Sequence, residues 1–540
     1  MKKIVISWLV LSLFLFPLAL SAAASEPIQG GTFRYGLTVN PRGMFNPILA
    51  TEQYDTMIND VVYDRLLYID ENLEPQPQLA ERWEISEDGL SITFYLKQGV
   101  LFHDGVEMTA RDVEYTYKTM LHPRYTGVRF GNFRVLDGAE EYRDGERDDV
   151  PGIEVIDDYT IRFSTNQPHA PLLVQFIYGI LPSHLYRDIP IGELEQAAAN
   201  RHPIGTGPFE FVEFRTDRHV MLDAFDDYHG GRPNIDQLVY QRVADDAMPI
   251  YLRQNRVDFV PIRPEQYPEV ARMDDINLYI YEALSYSYIA FNLRQERLAD
   301  TAVRQAMKAG FDRDTYVEII MEGFAIKANA PVPQASWAFT GEGINSYEYD
   351  PELAAQMLAD AGWAPGSDGI LEKDGMRLQL DFLVPEGTRT TEQMALLFQQ
   401  NMGDLGIQID LTFMEFTAAV DRVDAREFDL FTMAWGLAVD PDPYPIWHST
   451  SPWNDPGFEH ARSDELIELG RATMAQSERA EIYREWQQVI NQELPYIFLN
   501  YEVVIGAMNE RVQGYDRDPG PLGPLVGRHL LREIWLPDGQ

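Results

Sequence analysis

The stretch Asp440-Pro441-Asp442-Pro443 carries the most chemistry per residue in this chain. Two carboxylates on a proline-stiffened loop can receive an ammonium group through charge-assisted hydrogen bonds. Pro-flanked Asp is also an ordinary turn former, so both readings stand at this point. Tyr444, Trp447 and His448 follow in the same loop and offer ring surface to a pocket or to a core. His103-Asp104-Gly105 has the look of a catalytic or metal pair, yet it falls between a strand and a capped helix, which favours a structural turn. The ten His residues form no His-x-x-x-His or Glu-containing metal motif, and the chain has no Cys. Thiolate ligands, disulfides and cysteine nucleophiles are thereby excluded, and no metal, cofactor or catalytic residue is expected. Gly205-Thr206-Gly207 lacks the Lys and helix start of a phosphate loop and reads as a tight turn near an interdomain crossing.

These residues need a fold to hold them. Residues 31–37 read as a first strand. Trp83 and Ile85, the turn Glu87-Asp88-Gly89 and the alternating Ile92, Phe94 and Leu96 make a hairpin. Thr109 and Asp112 form a capping box for a helix with Val113, Tyr117, Met120 and Leu121 at helical spacing, and a second hairpin turns at Asp157-Asp158. Together they predict a small lobe over about residues 55–175. From residue 300 helices and strands alternate: Val303, Ala306 and Met307 on one helix, Asp350-Pro351 opening another, then strands near 378–384, 407–413 and 428–435 with a helix over about 390–404. That order predicts right-handed crossovers and a parallel sheet. Ligands bind beyond the carboxyl ends of the strands in such sheets, which points at Trp435 to Trp447. A helix over 477–493 leads to a strand over 496–505, whose expected partner is the open edge left by the N-terminal region. No flexible linker separates the parts, so the lobes are expected to be joined by strands that cross between them.

Composition sets the partners. Asp and Glu number 85 against 44 Lys and Arg, a formal charge of −41, and nucleic acid is excluded because phosphate recognition needs clustered cations. An acidic surface suits screened, saline surroundings and implies a halophilic or alkaliphilic source, testable as stability against salt. The length of 540 residues implies two or three lobes, and 28 Tyr with 9 Trp suit a pocket that grips varied organic surfaces. At the start, Lys2 and Lys3, an apolar run interrupted by Ser7, Ser12 and Pro17, and Ala22-Ala23-Ala24 read as a cleavable signal over residues 1–24, the mature chain beginning near Ser25. No later stretch approaches the roughly 20 apolar residues of a membrane helix. With no Cys to carry a lipid, the product is expected to be periplasmic, soluble and unanchored.

Several segments resemble one family, the family 5 extracellular solute-binding proteins of ATP-driven peptide and nickel importers. Gln78-Leu79-Ala80-Glu81-Arg82-Trp83, Ser86-Glu87-Asp88-Gly89 and the run from Phe94 to Gly105 are similar to its signature, continued by Thr109-Ala110-Arg111-Asp112-Val113. Pro203 to Phe209, Phe291-Asn292 leading to Val303-Arg304-Gln305-Ala306, and Leu358 to Trp363 resemble later landmarks in the expected order. The resemblance covers essentially the whole mature chain and is closest in appearance to the oligopeptide binders. It implies an α/β fold, a two-lobed clamp of mixed sheets with a hinge between lobes and an extra inserted domain. The implied division is lobe I over 25–54, 176–275 and 486–540, the small domain II over 55–175, and lobe III over 276–485. It implies a monomeric, non-enzymatic protein that closes on a peptide and delivers it to an inner-membrane permease of a two-membrane bacterium.

The resemblance also implies site residues. Trp435 takes the place of an aromatic beside the ligand's first residues. Peptide binders of the family commonly have an Asp three residues after that Trp, pairing with the peptide amino terminus; here the position holds Ala438. Either Asp440 takes over the role, with Asp442 beside it, or the peptide is held mainly by backbone pairing. Tyr444 and Trp447 are pocket candidates, Asn292 could pair with ligand backbone or stabilise a turn, and Tyr35 and Asn46 lie where the family approaches its ligand from the other lobe. The alternatives are a non-peptide ligand (an oligosaccharide, an opine or a metal chelate such as nickel) and, from another class, a secreted hydrolase with paired carboxylates, disfavoured because no acid pair stands outside turns.

Overall fold

The computed structural model describes residues 27–515, 520, 521, 523 and 529–537; the expected signal over 1–24 lies outside them. Its main sheet has 11 strands. They are β1 Thr32–Leu37, β2 Phe209–Arg215, β3 His219–Ala224, β4 Gln237–Arg242, β5 Phe259–Ile262, β6 Ile276–Phe291, β7 Ala325–Lys327, β8 Gln379–Pro385, β9 Gln408–Met414, β10 Leu430–Gly436 and β11 Tyr496–Asn509. Their order is β9-β8-β10-β6-β11-β5-β1-β4-β3-β2, with β7 on β11.

The predicted parallel unit is present: β8 runs parallel to both β9 and β10. Successive side chains on a strand point to opposite faces, and both faces here are covered. Leu380, Phe382 and Val384 of β8 enter one core under the helices Thr301–Ala309, Pro351–Asp360 and Arg389–Asp404. Leu383 enters a second core, on the other face, with Trp447, Trp486 and Tyr496. The caps are those the sequence shows: Asp350 Oδ1 accepts from Leu353 N at 2.8 Å, with Pro351 at the first helical position.

The small domain is a four-stranded antiparallel sheet, Ala80–Ile85, Ser91–Leu96, Thr160–Ser164 and Ile153–Asp157, with the helix Ala110–Leu121 against it. The Thr109–Asp112 capping box opens that helix. Its core is continuous with that of lobe I, so the insert is an extension rather than a separate body. Gly205 and Gly207 close the junction: a Cβ at Gly205 would sit 2.0 Å from the Val62 carbonyl oxygen, at the end of the helix Gln53–Val62. His103 belongs to the same junction. Its backbone N–H donates to the Gly205 carbonyl at 2.9 Å, its Nε2 lies 3.0 Å from the Gly207 carbonyl, and burial lowers its pKa to about 4. It is a structural turn.

The lobes are joined by β6 and β11, of 16 and 14 residues, which run antiparallel across the gap. Pairing is regular from Ile276↔Asn509 to Glu282↔Val503, then resumes at Tyr286↔Tyr501. Ala283, Leu284 and Ser285 therefore stand opposite the single residue Glu502, an irregularity that bends a strand pair and marks the hinge. Two expectations are corrected. The return to lobe I falls between Tyr501 and Val503, not at 486, because Trp486, Ile490, Tyr496 and Phe498 are buried in the core of lobe III. And β11 pairs with β5, which separates it from β1.

Candidate functional site

Beyond the carboxyl end of β10 lies a cavity of about 330 Å³, within the range of small-ligand pockets. Its walls come from the hinge (Leu284), the segment 331–333, the loop after β10 and the short helix Tyr444–Trp447. Trp435, at the end of β10, stacks at 11° on Tyr288 of β6, with 6.4 Å between ring centres. Trp453 meets the Trp435 ring at 6.1 Å and is 57% exposed, a large apolar surface left open to the cavity mouth. Trp447 forms the floor, buried against Trp486 and Tyr496.

The two carboxylates line this cavity, and both are engaged. Asp440 Oδ1 and Oδ2 accept from Arg479 Nη2 and Nη1 at 2.6 and 2.7 Å, a bidentate pair whose side chains are 6% and 5% exposed. Arg479 also donates to the Tyr483 hydroxyl at 3.1 Å and to the Gly470 carbonyl at 3.0 Å, and Asp440 holds its pKa above the usual guanidinium value. Asp442 Oδ1 accepts from the Tyr444 N–H at 3.1 Å, and its Oδ2 is 3.3 Å from Arg471. Burial raises the Asp442 pKa to about 6, against the opposing pull of Arg471. Asp440 thus has a partner for each oxygen, and the arrangement is a neutralised wall rather than an open acid pair.

The cleft faces the small domain. The helix Ala461–Ala472 packs near the turn Ala170–Gln175, and a Cβ on Gly89 would be 3.2 Å from Met474. His169 is buried there and its pKa is lowered to about 3, by burial first and then by Arg471 and Arg479 of lobe III.

Of the residues singled out in the sequence, Trp435, Asp440, Asp442 and Trp447 come together at the cavity. Tyr444 stands just behind it, stacked on His448 at 4.3 Å with the Arg471 guanidinium 4.1 Å over its ring. Tyr35 is in lobe I against Tyr240 and Phe259, its phenol pKa raised by burial. Asn46 is buried, donating to Asn200 Oδ1 at 3.0 Å and accepting from the Ile48 N–H. Asn292 is at the end of β6 away from the hinge, where its amide donates to the Phe428 carbonyl at 2.9 Å. These three are not brought to the cavity. Sequence reasoning missed Leu284, Trp453 and the segment 331–333. The only local signal was apolar residues inside Pro-rich loops, where a core strand or helix is not expected.

The chain is similar to known proteins over most of its length. The model for bacterial extracellular solute-binding proteins, family 5 Middle, matches residues 74–457. The oligopeptide-binding protein AppA of Bacillus subtilis (strain 168) is 31% identical over 506 residues, covering 92% of this chain and 91% of that one. The dipeptide-binding protein of Escherichia coli (strain K12) is 28% identical over 552 residues, covering 97% and 98%. The solved structure of Bacillus subtilis AppA in complex with a nonapeptide is similar with a TM-score of 0.77 at 30% identity, covering 95% of this chain and 100% of that chain. Among the described residues no helix is long and apolar enough to cross a membrane.

Proposed function

The chain belongs to the bacterial extracellular solute-binding proteins of family 5, and from that premise we propose that it captures oligopeptides between its lobes and hands them to an ATP-driven permease. Members of this family bind and deliver; they make and break no bond. The observation that carries the reading is the cavity between Trp435 and Trp453, placed beyond the carboxyl end of β10 and beside the β6–β11 hinge. The names of the relatives, an oligopeptide binder and a dipeptide binder, support the ligand class.

The mechanism follows from the strands. Opening and closing need a change where the β6–β11 register breaks, at Ala283 to Ser285 opposite Glu502, while the regular pairing of those two strands on either side stays intact. Closure brings the small domain, at Gly89 and His169, against the loop and helices that carry Met474, Arg471 and Arg479. An extended peptide in the cleft gains affinity from main-chain hydrogen bonds and loose selectivity from the side-chain cavity. The protein acts as a monomer outside the inner membrane, after removal of its leader near Ser25.

The test is mass spectrometry of the ligand released when the purified protein is denatured. A ladder of peptides is the expected result. A single sugar, opine or metal chelate in their place would overturn the peptide reading while leaving the family intact. Amino-terminal sequencing of the exported protein checks cleavage near Ser25.

A further inference from the structure

Resting on the peptide reading above, one property of the ligand follows from the charge balance of the cavity wall. Among the residues lining it, the charged ones are Asp440 and Asp442. Asp440 is saturated by Arg479 at 2.6 and 2.7 Å, with both side chains nearly buried. Asp442 is engaged by the Tyr444 N–H and by Arg471. Apart from Ser336, whose Oγ accepts from the Ala338 N–H, the remaining lining is apolar: Leu284, Val332, Leu437 and Ile446 with a run of prolines, faced by the rings of Trp435 and Trp453. An ammonium entering this space would lose its hydration without gaining an unpaired carboxylate, and a buried charge without a partner is expensive. An apolar ring would remove from water the exposed face of Trp453 and gain offset ring contacts with both indoles.

We propose that this cavity takes a bulky uncharged apolar side chain of the peptide, an aromatic one above all, and that it does not hold the peptide's α-ammonium. Trp453 is the residue that sets the preference. It stands at the cavity mouth, 57% exposed, so the fold does not depend on it.

The test uses the mature protein freed of co-purified ligand and isothermal titration calorimetry. The probes are tetra-alanine peptides in which the first or second residue is Trp, Gly or Lys, each with a free and an N-acetylated amino terminus. At one of the two positions Trp should bind at least tenfold tighter than Gly and Lys, and acetylation of that peptide should change Kd less than threefold. W453A should erase the Trp advantage over the Gly and Lys peptides. A threefold or greater loss on acetylation, a Trp advantage under tenfold, or an advantage that survives in W453A overturns the inference while peptide binding itself stands. Failure of every peptide to bind rejects the peptide reading and this inference together.

Discussion

Lobe I with its insert and lobe III bury opposite charges. Among the described residues, the buried charged ones of the first are Asp55, Asp64, Asp112 and Asp258; in the second they include Arg304, Lys308, Arg313 and Arg479, with Asp440 and Asp455. The aspartates of lobe I are met mostly by neutral donors. Asp55 accepts from the backbone N–H groups of Gly43 and Met44, Asp64 from Gln78 and Tyr228 with His229 at 2.6 Å, and Asp112 from Thr109 and Ser183. Asp258 has Arg511 as well. The cations of lobe III are met largely by carbonyl oxygens: Arg304 by Leu298, Ala299, Glu493 and Leu494, and Arg313 by Ala328, Ser346 and Phe498. Among the described residues the four buried Lys and Arg side chains thus all lie in lobe III, the lobe that carries the cavity. The lesson is that the acids of that cavity are paired because lobe III sets the buried Arg479 and the half-buried Arg471 beside them.

The strongest way to break this contrast is R479M. It leaves Asp440 buried without its partner and should cost about 3–5 kcal/mol, read as a fall in the urea midpoint. D442N comes next. The Asp442 carboxyl, at about 6 in the folded protein, returns to about 3.9 in the unfolded chain. The folded state therefore holds the extra proton between those values, and stability falls as pH rises through that window. D442N should flatten this stretch, by on the order of 3 kcal/mol, in unfolding curves taken from pH 4 to pH 7.

K308M sharpens the comparison from the other side. Lys308 is fully buried, its Nζ has no hydrogen-bond partner and faces the Tyr347 ring at 5.0 Å, and burial drives its pKa well below the lysine range. The unfolded chain binds the proton that the folded one refuses, so stability rises with pH up to the ordinary lysine value. K308M should stabilise the protein at neutral pH by about 1–3 kcal/mol and weaken that rise. The smallest effect belongs to lobe I. D55N keeps an acceptor for only one of the Gly43 and Met44 donors, which use different carboxylate oxygens, but relieves a carboxyl whose pKa burial already raises, so its net cost should be about 1 kcal/mol. A loss as large as that of R479M would end the contrast between the lobes.

Much of the architecture was legible because it is written locally. The Thr109–Asp112 capping box, the hairpin at Glu87-Asp88-Gly89 and the alternation of β8, β9 and β10 need only neighbours in sequence. The rule that ligands sit beyond the carboxyl ends of parallel strands points to Trp435 and Trp447, and both line the cavity. Asn46 and Asn292 make hydrogen bonds that no local pattern announces. The partner of Asn46 is 154 positions distant, and the Phe428 carbonyl that holds Asn292 is 136 positions distant.

The acidic loop divides what each level determines. The sequence by itself fixed that two aspartates stand on a stiff loop at the end of a buried strand, because prolines restrict the backbone around them and strand alternation is local. Only the tertiary structure decided whether those carboxylates are free. Arg479 reaches Asp440 from 39 positions away on the helix Gln476–Glu493, and burial of that helix face makes the pair close, dry and bidentate. Charge is carried by composition, but its availability to a ligand depends on distance and solvent exclusion, and both are set when the helices pack.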